Sequence, residues 1–180
     1  MNVRSTLNAE PVPDFSDPLG LLAACHRRML DFCELLGRMP THIAMYGIDG
    51  EVTDAAWRIM HYFDTAAVLH HLDEERDLFP LLAKQTTLAP LIDRLQSQHR
   101  ELECRWQTLA SQLRQIPSGT FEAAAFRDAA ERYRDACREH IDREESQLLP
   151  AAQACLDSHE LRALGHAMAV RRGRVGVDRK

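Results

Sequence analysis

Apolar side chains recur every three or four positions in four long stretches of this sequence, a spacing that places them on one face of an α-helix. In the first stretch Asp17 and Pro18 form a typical helix start, because aspartate caps the first turn and proline is tolerated at the first helical position. We predict that Pro40 and the stretch from Gly47 to Gly50 end this helix. Its inward face carries Leu22, His26, Met29, Cys33 and Leu36.

The other three stretches have a similar face, apolar except for a histidine and, in two of them, a glutamate. The second helix is predicted to begin near Thr53, with an inward face of Met60, Phe63, Ala67, His70, Glu74, Leu78 and Leu81. The third is predicted to begin near Leu88 to Pro90, with an inward face of Ile92, Leu95, His99, Leu102, Trp106, Leu109 and Leu113. The fourth follows a turn at Pro117 to Gly119, with an inward face of Phe126, Ala130, Tyr133, Cys137, His140, Glu144 and Leu148.

Four long helices with short connections predict an all-α fold, an antiparallel up-down-up-down four-helix bundle. A short amphipathic C-terminal helix is expected over about residues 159–170. We expect a flexible N-terminal tail over residues 1–16, a bundle domain over residues 17–171 and a basic C-terminal tail over residues 172–180. The ending RRGRVGVDRK is most simply solvated, as charge runs usually are.

Composition and charge exclude several classes of function. Apolar residues make up 45% of the chain and its net charge is −5, so a basic face for nucleic acid is not expected. No apolar run approaches the roughly 20 residues that span a membrane, so we expect no membrane partner either. The five cysteines form no C-x-x-C pair, which fits reduced thiols in a cytoplasmic protein. The sequence leaves open whether the chain forms a homodimer.

The second and fourth helices end in two copies of one motif, HHLDEERDLFP and EHIDREESQLLP. A shift of seventy positions (140 − 70) aligns His70 with His140 and Glu74 with Glu144. The shared core, His-x-x-x-Glu, places an imidazole and a carboxylate on one helix face, about 6 Å apart. Each copy therefore directs one nitrogen ligand and one carboxylate toward the same place.

The helix phase also predicts which residue of the His70-His71 pair and of the Glu74-Glu75 pair faces inward. In the second helix the phase through His70 and Glu74 is the apolar one, and the competing phase is too polar for a core. We therefore predict that His71 and Glu75 lie on the flank of this helix.

Counting residues from the predicted turns places one histidine of each helix at the same level of the bundle. The predicted layer consists of His26, His70, Glu74, His99, His140 and Glu144. No lysine or arginine lies on these faces, and burying an unpaired carboxylate costs several kcal/mol or more. Divalent cations would compensate the charge, and two ions use the six side chains more evenly than one. Mixed imidazole and carboxylate ligands favour iron or manganese and leave zinc open, with room for an oxo or hydroxo group between two metals.

These residues resemble the hemerythrin-like proteins of the HHE cation-binding family. The matching parts are CHRRM with His26, QHREL with His99 and the two His-x-x-x-Glu motifs, which together span about residues 17–157. The resemblance implies a four-helix bundle around a non-haem di-iron centre, two iron ions bridged by oxo or hydroxo, that meets oxygen, nitric oxide or peroxide.

The sequence departs from the classical oxygen carriers of this family, which have two histidines four positions apart on the third helix. The position four residues after His99 is Glu103. Either Glu103 replaces the fifth histidine or the site stays open, and a solvated, flanking glutamate is the favoured interpretation. An open position permits chemistry as well as binding, a pattern closer to the iron–sulfur repair proteins of this superfamily.

Three functional hypotheses remain at this point. The first is a di-iron protein that binds, senses or detoxifies O2, NO or peroxide. The second is a di-iron redox enzyme or an iron donor for iron–sulfur cluster repair, and the sequence does not decide whether there is turnover. The third is a structural or regulatory bundle that retained its ligands but acts through partners.

Overall fold

The computed structural model describes residues 13–120 and 122–174. Within these two ranges all regular structure is helical, which confirms the all-α prediction there. The α-helices are α1 Pro18–Tyr46, α2 Gly50–Asp64, α3 Ala66–Asp73, α4 Phe79–Leu82, α5 Ala89–Gln115, α6 Ala123–Arg143, α7 Leu149–Cys155 and α8 Ser158–Arg171. Two π-helical segments connect α3 to α4 and α6 to α7, at Glu74–Leu78 and Glu144–Leu148. Most of both predicted tails, residues 1–12 and 175–180, lies outside the described residues.

The predicted start of α1 is confirmed, but one of its predicted stops is wrong. The Asp17 carboxylate accepts a hydrogen bond from the backbone N–H of Gly20, at 3.0 Å. The helix continues through Pro40, since only one backbone hydrogen bond is lost there and the buried neighbours Leu36 and Met39 keep it packed. It ends at Gly47, whose φ of 80° is readily adopted by glycine alone.

The second long helix begins three residues earlier than predicted and has a break in the middle. The Asp49 side chain caps it by accepting from the N–H of Val52, at 3.0 Å. At Thr65 the backbone leaves the helical conformation, and the Thr65 hydroxyl donates to the carbonyl of His61. The chain resumes in α3, so α2, α3, the first π segment and α4 together form one interrupted rod.

Two pairs of neighbouring helices contact each other in opposite sequence directions. Between α1 and the second rod, Phe32 lies against Phe63 and His26 lies against His70. Between α5 and α6, Trp106 lies against Tyr133 and His99 lies against His140. The short helix α8 packs against α1 and α3.

The apolar core consists of two clusters separated along the bundle by a layer of buried polar side chains. One cluster includes Met29, Ala67 and Leu102, and the other includes Leu22 and Leu78. We call the residues between them the polar layer: His26, His70, Asp73, Glu74, Gln98, His99, His140 and Glu144. Because unpaired polar groups in such a position are costly, this layer is where a functional explanation is needed.

Two further observations concern the surface of the bundle. Among the described helices, none is both long and apolar enough to cross a lipid bilayer.

Arg171 and Arg172, which we expected to be solvated, instead contact the buried carboxylate of Asp73, so that expectation was wrong for these two residues.

Candidate metal centre

The structure brings the six predicted site residues together. Helices α1, α3, α5 and α6 each supply one histidine, and the two glutamates are the first residues of the π segments. None of the six is more than 5% exposed. The sequence therefore predicted the location of these side chains correctly, while their binding of metal ions remains a prediction.

The four imidazoles form two pairs through their Nε2 atoms. The Nε2 atoms of His26 and His70 lie 3.1 Å apart, as do those of His99 and His140. We call the two pairs the 26/70 half-site and the 99/140 half-site. Nitrogen atoms this close, each within 3.4 Å of an oxygen of Glu74 or Glu144, can offer lone pairs to two neighbouring points.

Each carboxylate extends over both half-sites. For Glu74, Oε1 lies 3.3 Å from Nε2 of His70, and Oε2 lies 3.4 Å from Nε2 of His99. For Glu144, Oε1 lies 3.2 Å from Nε2 of His140, and Oε2 lies 3.0 Å from Nε2 of His26. Both glutamates thus direct one oxygen toward each half-site, which is the arrangement of a bridging carboxylate.

The π segments show how the backbone presents these two glutamates. At the start of each segment, the N–H of the glutamate reaches back to the carbonyl of the histidine four residues earlier. One turn later, the N–H of Phe79 and of Leu149 reaches back five residues to the glutamate carbonyl. Pro80 or Pro150 follows each segment, and because a proline ring clashes with the carbonyl four residues earlier in a regular α-helix, a wider turn before it is favoured. The proline of each motif therefore explains the local backbone that carries the carboxylate.

In each half-site, one imidazole also contacts a second carboxylate through Nδ1, the ring nitrogen that faces away from the other imidazole. Nδ1 of His26 lies 2.6 Å from Oε1 of Glu145, and Nδ1 of His99 lies 2.8 Å from Oε1 of Glu75. A proton on Nδ1 donates to this carboxylate and leaves the Nε2 lone pair free to bind a cation. The predicted flank position of Glu75 is confirmed. Its contact with His99 on α5 was not predicted, although the Glu-Glu doublet in both motif copies was a signal.

His71 lies closer to the site than its predicted flank position suggested. Its half-buried ring stacks on that of His99, with centroids 4.1 Å apart and planes inclined by 21°. Its nitrogen falls within 4.8 Å of the ligand atoms of His99 and His140. However, rings stacked face to face direct their in-plane lone pairs in parallel rather than to one point. In this arrangement His71 therefore packs against the 99/140 half-site.

Glu103 does not occupy the fifth position in this structure. Its side chain is exposed, and it accepts a hydrogen bond from Gln107 at 2.7 Å. This geometry agrees with the favoured interpretation of a solvated glutamate.

The electrostatics of the polar layer separate the four histidines into two kinds. Burial lowers the pKa of His26 and of His99, but the close carboxylates of Glu144 and Glu74 outweigh it and raise both values to about 10. Burial lowers the pKa of His70 to about 4. Burial and the charge on His99 lower the pKa of His140 to about 3. Each half-site thus contains one imidazole that holds a proton strongly and one that stays neutral.

The two carboxylates also differ. Burial opposes ionisation of Glu74, but the surrounding imidazoles outweigh it and hold its pKa well below the usual range. Burial and the charge of Glu74 raise the pKa of Glu144. The layer therefore concentrates negative charge that either protons or metal ions can offset.

The unpaired atoms of this layer test whether it fits metal ions. Within the described residues, no oxygen of Glu74 or Glu144 has an aligned hydrogen-bond donor, although imidazole nitrogens lie close to all four. Buried polar atoms without donors are rare in folded proteins. Two sets of two imidazoles and two carboxylates meet the ligand requirements of divalent cations. The residues present fit a pair of metal ions.

Comparison with known proteins agrees with this geometry. The family model of the hemerythrin HHE cation binding domain matches residues 17–152. A protein of Haemophilus influenzae, described as uncharacterized, is 32% identical over 169 residues, which cover 92% of this chain and 96% of that protein. The matched range contains all six site residues and most of the helical bundle, and the chain therefore belongs to the hemerythrin HHE cation-binding domain family.

Proposed function

We propose that this chain is a non-haem di-iron protein that binds, senses or detoxifies O2, NO or peroxide. His26 and His70 would hold one ion, His99 and His140 the other, with Glu74 and Glu144 bridging both and an oxo or hydroxo group between them. The surrounding scaffold would be an antiparallel up-down-up-down four-helix bundle. Manganese or zinc remains an alternative to iron.

One observation carries this proposal, namely that each buried carboxylate directs one oxygen toward each half-site. In an ordinary buried ion pair, the oxygens would accept aligned hydrogen bonds from their partners. Here the four carboxylate oxygens lack aligned donors while four Nε2 atoms lie within 3.0–3.4 Å of them. A pair of cations satisfies oxygens and nitrogens at once.

Bound iron would supply redox activity and an open coordination position for a small molecule. The chain's own residues orient and isolate that position. Glu145 and Glu75 hold two of the rings through Nδ1, and the apolar clusters on both sides exclude bulk water. With two histidines for each ion, both ions would retain room for an exogenous ligand.

A small, partly open cavity lies near the 99/140 half-site. Its volume is about 20 Å³, and its lining includes His71, Glu103, Trp106 and Tyr133 but none of the six site residues. A space of this size holds about one water molecule. His71 connects this cavity to the half-site through its stack on His99.

The test is to produce the protein with ample iron and to measure iron content and the optical spectrum. We expect about two irons per chain and an oxo-to-iron absorption band after oxidation. Glu144→Gln, which removes the charge of one bridge, should lower the iron content. His42→Gln is the matched control, because His42 bonds Asp49 at the surface, at 2.8 Å. Less than one metal per chain in the unsubstituted protein would refute the proposal.

The second candidate is a di-iron redox enzyme, or an iron donor for iron–sulfur cluster repair. The exposed position of Glu103 favours it, because both ions then keep an open position. Anaerobic reduction followed by O2, NO and peroxide in turn separates the candidates. A binding protein changes its spectrum once, whereas an enzyme supplied with electrons consumes its substrate repeatedly.

We also propose a cytoplasmic location and no nucleic-acid or membrane partner. The support is the net charge of −5 and the five cysteines, all of which are free thiols in the structure. Whether the protein forms a homodimer stays an expectation to be tested by its mass in solution.

A further inference from the structure

The C-terminal helix α8 makes an ion-pair cluster with the segment that carries Glu74. At its end, Arg171 and Arg172 contact Asp73 and Asp77. Both arginines lie beyond residues 17–152, the range matched by the family model. The two arginines of the cluster therefore come from a part of this chain that lies outside the matched range, whereas the two aspartates lie inside it.

The cluster neutralises a fully buried charge. Asp73 is 0% exposed, and it pairs with Nη1 of Arg171 and, at 2.6 Å, with Nη2 of Arg172. The arginine side chains are themselves only 16% and 21% exposed. Removing one partner of a buried pair leaves a charge that is costly to keep in the interior. The position of Asp73 thus depends on α8.

The same cluster spans the π segment. Asp73 is the residue directly before Glu74, and Asp77 lies four residues later, within Glu74–Leu78. Arg171 reaches both, with Nη1 on Asp73 and Nη2 at 2.5 Å from Asp77. One guanidinium group therefore holds the turn on both sides of Glu74.

Among the residues that the structure describes, the second motif copy forms no such cluster. The equivalent positions, shifted by seventy, are Arg143 and Gln147 in place of the two aspartates. Arg143 pairs instead with Glu139 on its own helix, at 3.2 Å. The two glutamates of the polar layer are thus supported differently, although their motifs are similar.

We propose that Arg171 and Arg172, acting through Asp73 and Asp77, form a clamp that positions Glu74 in the metal centre. The clamp makes α8 part of the site and holds Glu74 in place, whereas the residue directly before Glu144 is Arg143, which pairs with Glu139. The arginines are positioning residues, since their hydrogen bonds among the described residues go to Asp73, Asp77 and the Met168 carbonyl and not to the half-sites. The effect on metal binding rests on the proposed function, whereas the effect on the π segment does not.

The experiment compares a double variant, in which Arg171→Gln and Arg172→Gln are combined, with the control variant Lys84→Gln. Lys84 also ties α8 to the bundle, through Glu160 at 2.7 Å, but it is 61% exposed and does not contact the π segment. Amide hydrogen exchange is measured over residues 74–82 and, as the internal reference, over residues 144–155. Iron content and the oxidised optical spectrum are measured on the same samples, after circular dichroism has shown that they are folded.

The clamp predicts about tenfold faster exchange over residues 74–82 in the double variant, no change over residues 144–155, and neither effect in Lys84→Gln. It also predicts a shifted optical spectrum in the iron-loaded double variant, which a purely stabilising contact would not cause. Unchanged exchange in the folded double variant, an equal increase in the Lys84→Gln control, or an unshifted spectrum in a double variant that binds iron would overturn the proposal.

Two provisions keep the outcomes separable. If the double variant does not fold, Asp77→Asn removes only the outer contact of the clamp, at a side chain that is 23% exposed, and the same comparison applies. If the unsubstituted protein binds no metal, the proposed function fails, but the exchange measurement still decides whether the clamp holds the π segment.

Discussion

Loading metal ions into the polar layer should release protons, and the number released follows from the structure. In the metal-free protein the pKa values of His26 and His99 are raised to about 10 by the close carboxylates, against the effect of burial. At pH 7.5 a group with that pKa is protonated in about 99% of molecules. A cation needs the Nε2 lone pair, so each of these imidazoles must lose its proton on binding.

We therefore expect about two protons per chain on full loading at pH 7.5. Because each proton contributes about 1.4 kcal/mol per pH unit, the product of the two metal affinities should rise about 100-fold per unit between pH 7 and pH 9. The metal affinity should rise and not fall with pH, because the raised pKa values of His26 and His99 mean that protons compete with the metal throughout this range.

The assay is calorimetric titration with Zn²⁺, a redox-silent probe, in two buffers of different ionisation enthalpy. The heat difference between the buffers gives the number of protons directly. His42→Gln is the matched control and should release the same number, because His42 lies at the surface beside Asp49. Metal binding with release of less than half a proton per chain would show that the carboxylates do not hold these histidines protonated, and the reasoning would fail.

Three other predictions follow from the fold. The metal-free protein should be most stable near pH 6.5. His26 and His99, whose pKa values are raised, contribute stability that is lost as pH rises from about 6.5 to 10. His70 and His140, whose pKa values are lowered, cost stability as pH falls below about 6.5. Thermal unfolding across pH 5 to 9 checks this maximum. Leu109→Ala, in the core at 0% exposure, should cost about 2–5 kcal/mol, whereas Met45→Ala, at 66% exposure, should cost little, as measured by urea unfolding. Asp17→Ala should cost about 1 kcal/mol by the same measurement, because it removes the cap of α1.

The helix phases could be predicted because each long stretch has only one apolar face. A histidine and a glutamate at a spacing of four on that face must share its direction, and the buried positions of His70 and Glu74 follow from this alone. The level at which the four helices meet follows from rise per residue and short connections. Local pattern was therefore sufficient for the residues that face the bundle axis.

Contacts between flanks could not be predicted, because they depend on how one helix is rotated against another. Glu75 lies on the flank, yet it reaches His99 on a different helix. Arg171 and Arg172 belong to a charge run of a kind that is typically solvated. Here, however, both pair with the buried carboxylate of Asp73. Neither pairing has a spacing along the chain that a periodic pattern could indicate.

The continuation of α1 through Pro40 has a different cause. Proline lowers the intrinsic preference for helix at that point by about 3 kcal/mol. Packing of the adjacent Leu36 and Met39, both nearly inaccessible to water, outweighs it. Tertiary contacts thus overrode a strong local signal, whereas Met45 and Tyr46, which precede Gly47, are 66% and 68% exposed and give the helix little packing to continue.

The shared carboxylates have a consequence for how the protein fills with metal. Because Glu74 and Glu144 each direct one oxygen toward either half-site, the first ion of the proposed pair would fix Glu144 in the orientation that the second ion needs, while the clamp already holds Glu74. We expect occupancy to be nearly all-or-none, so that iron limitation yields a mixture of empty and fully loaded chains rather than a population with single ions.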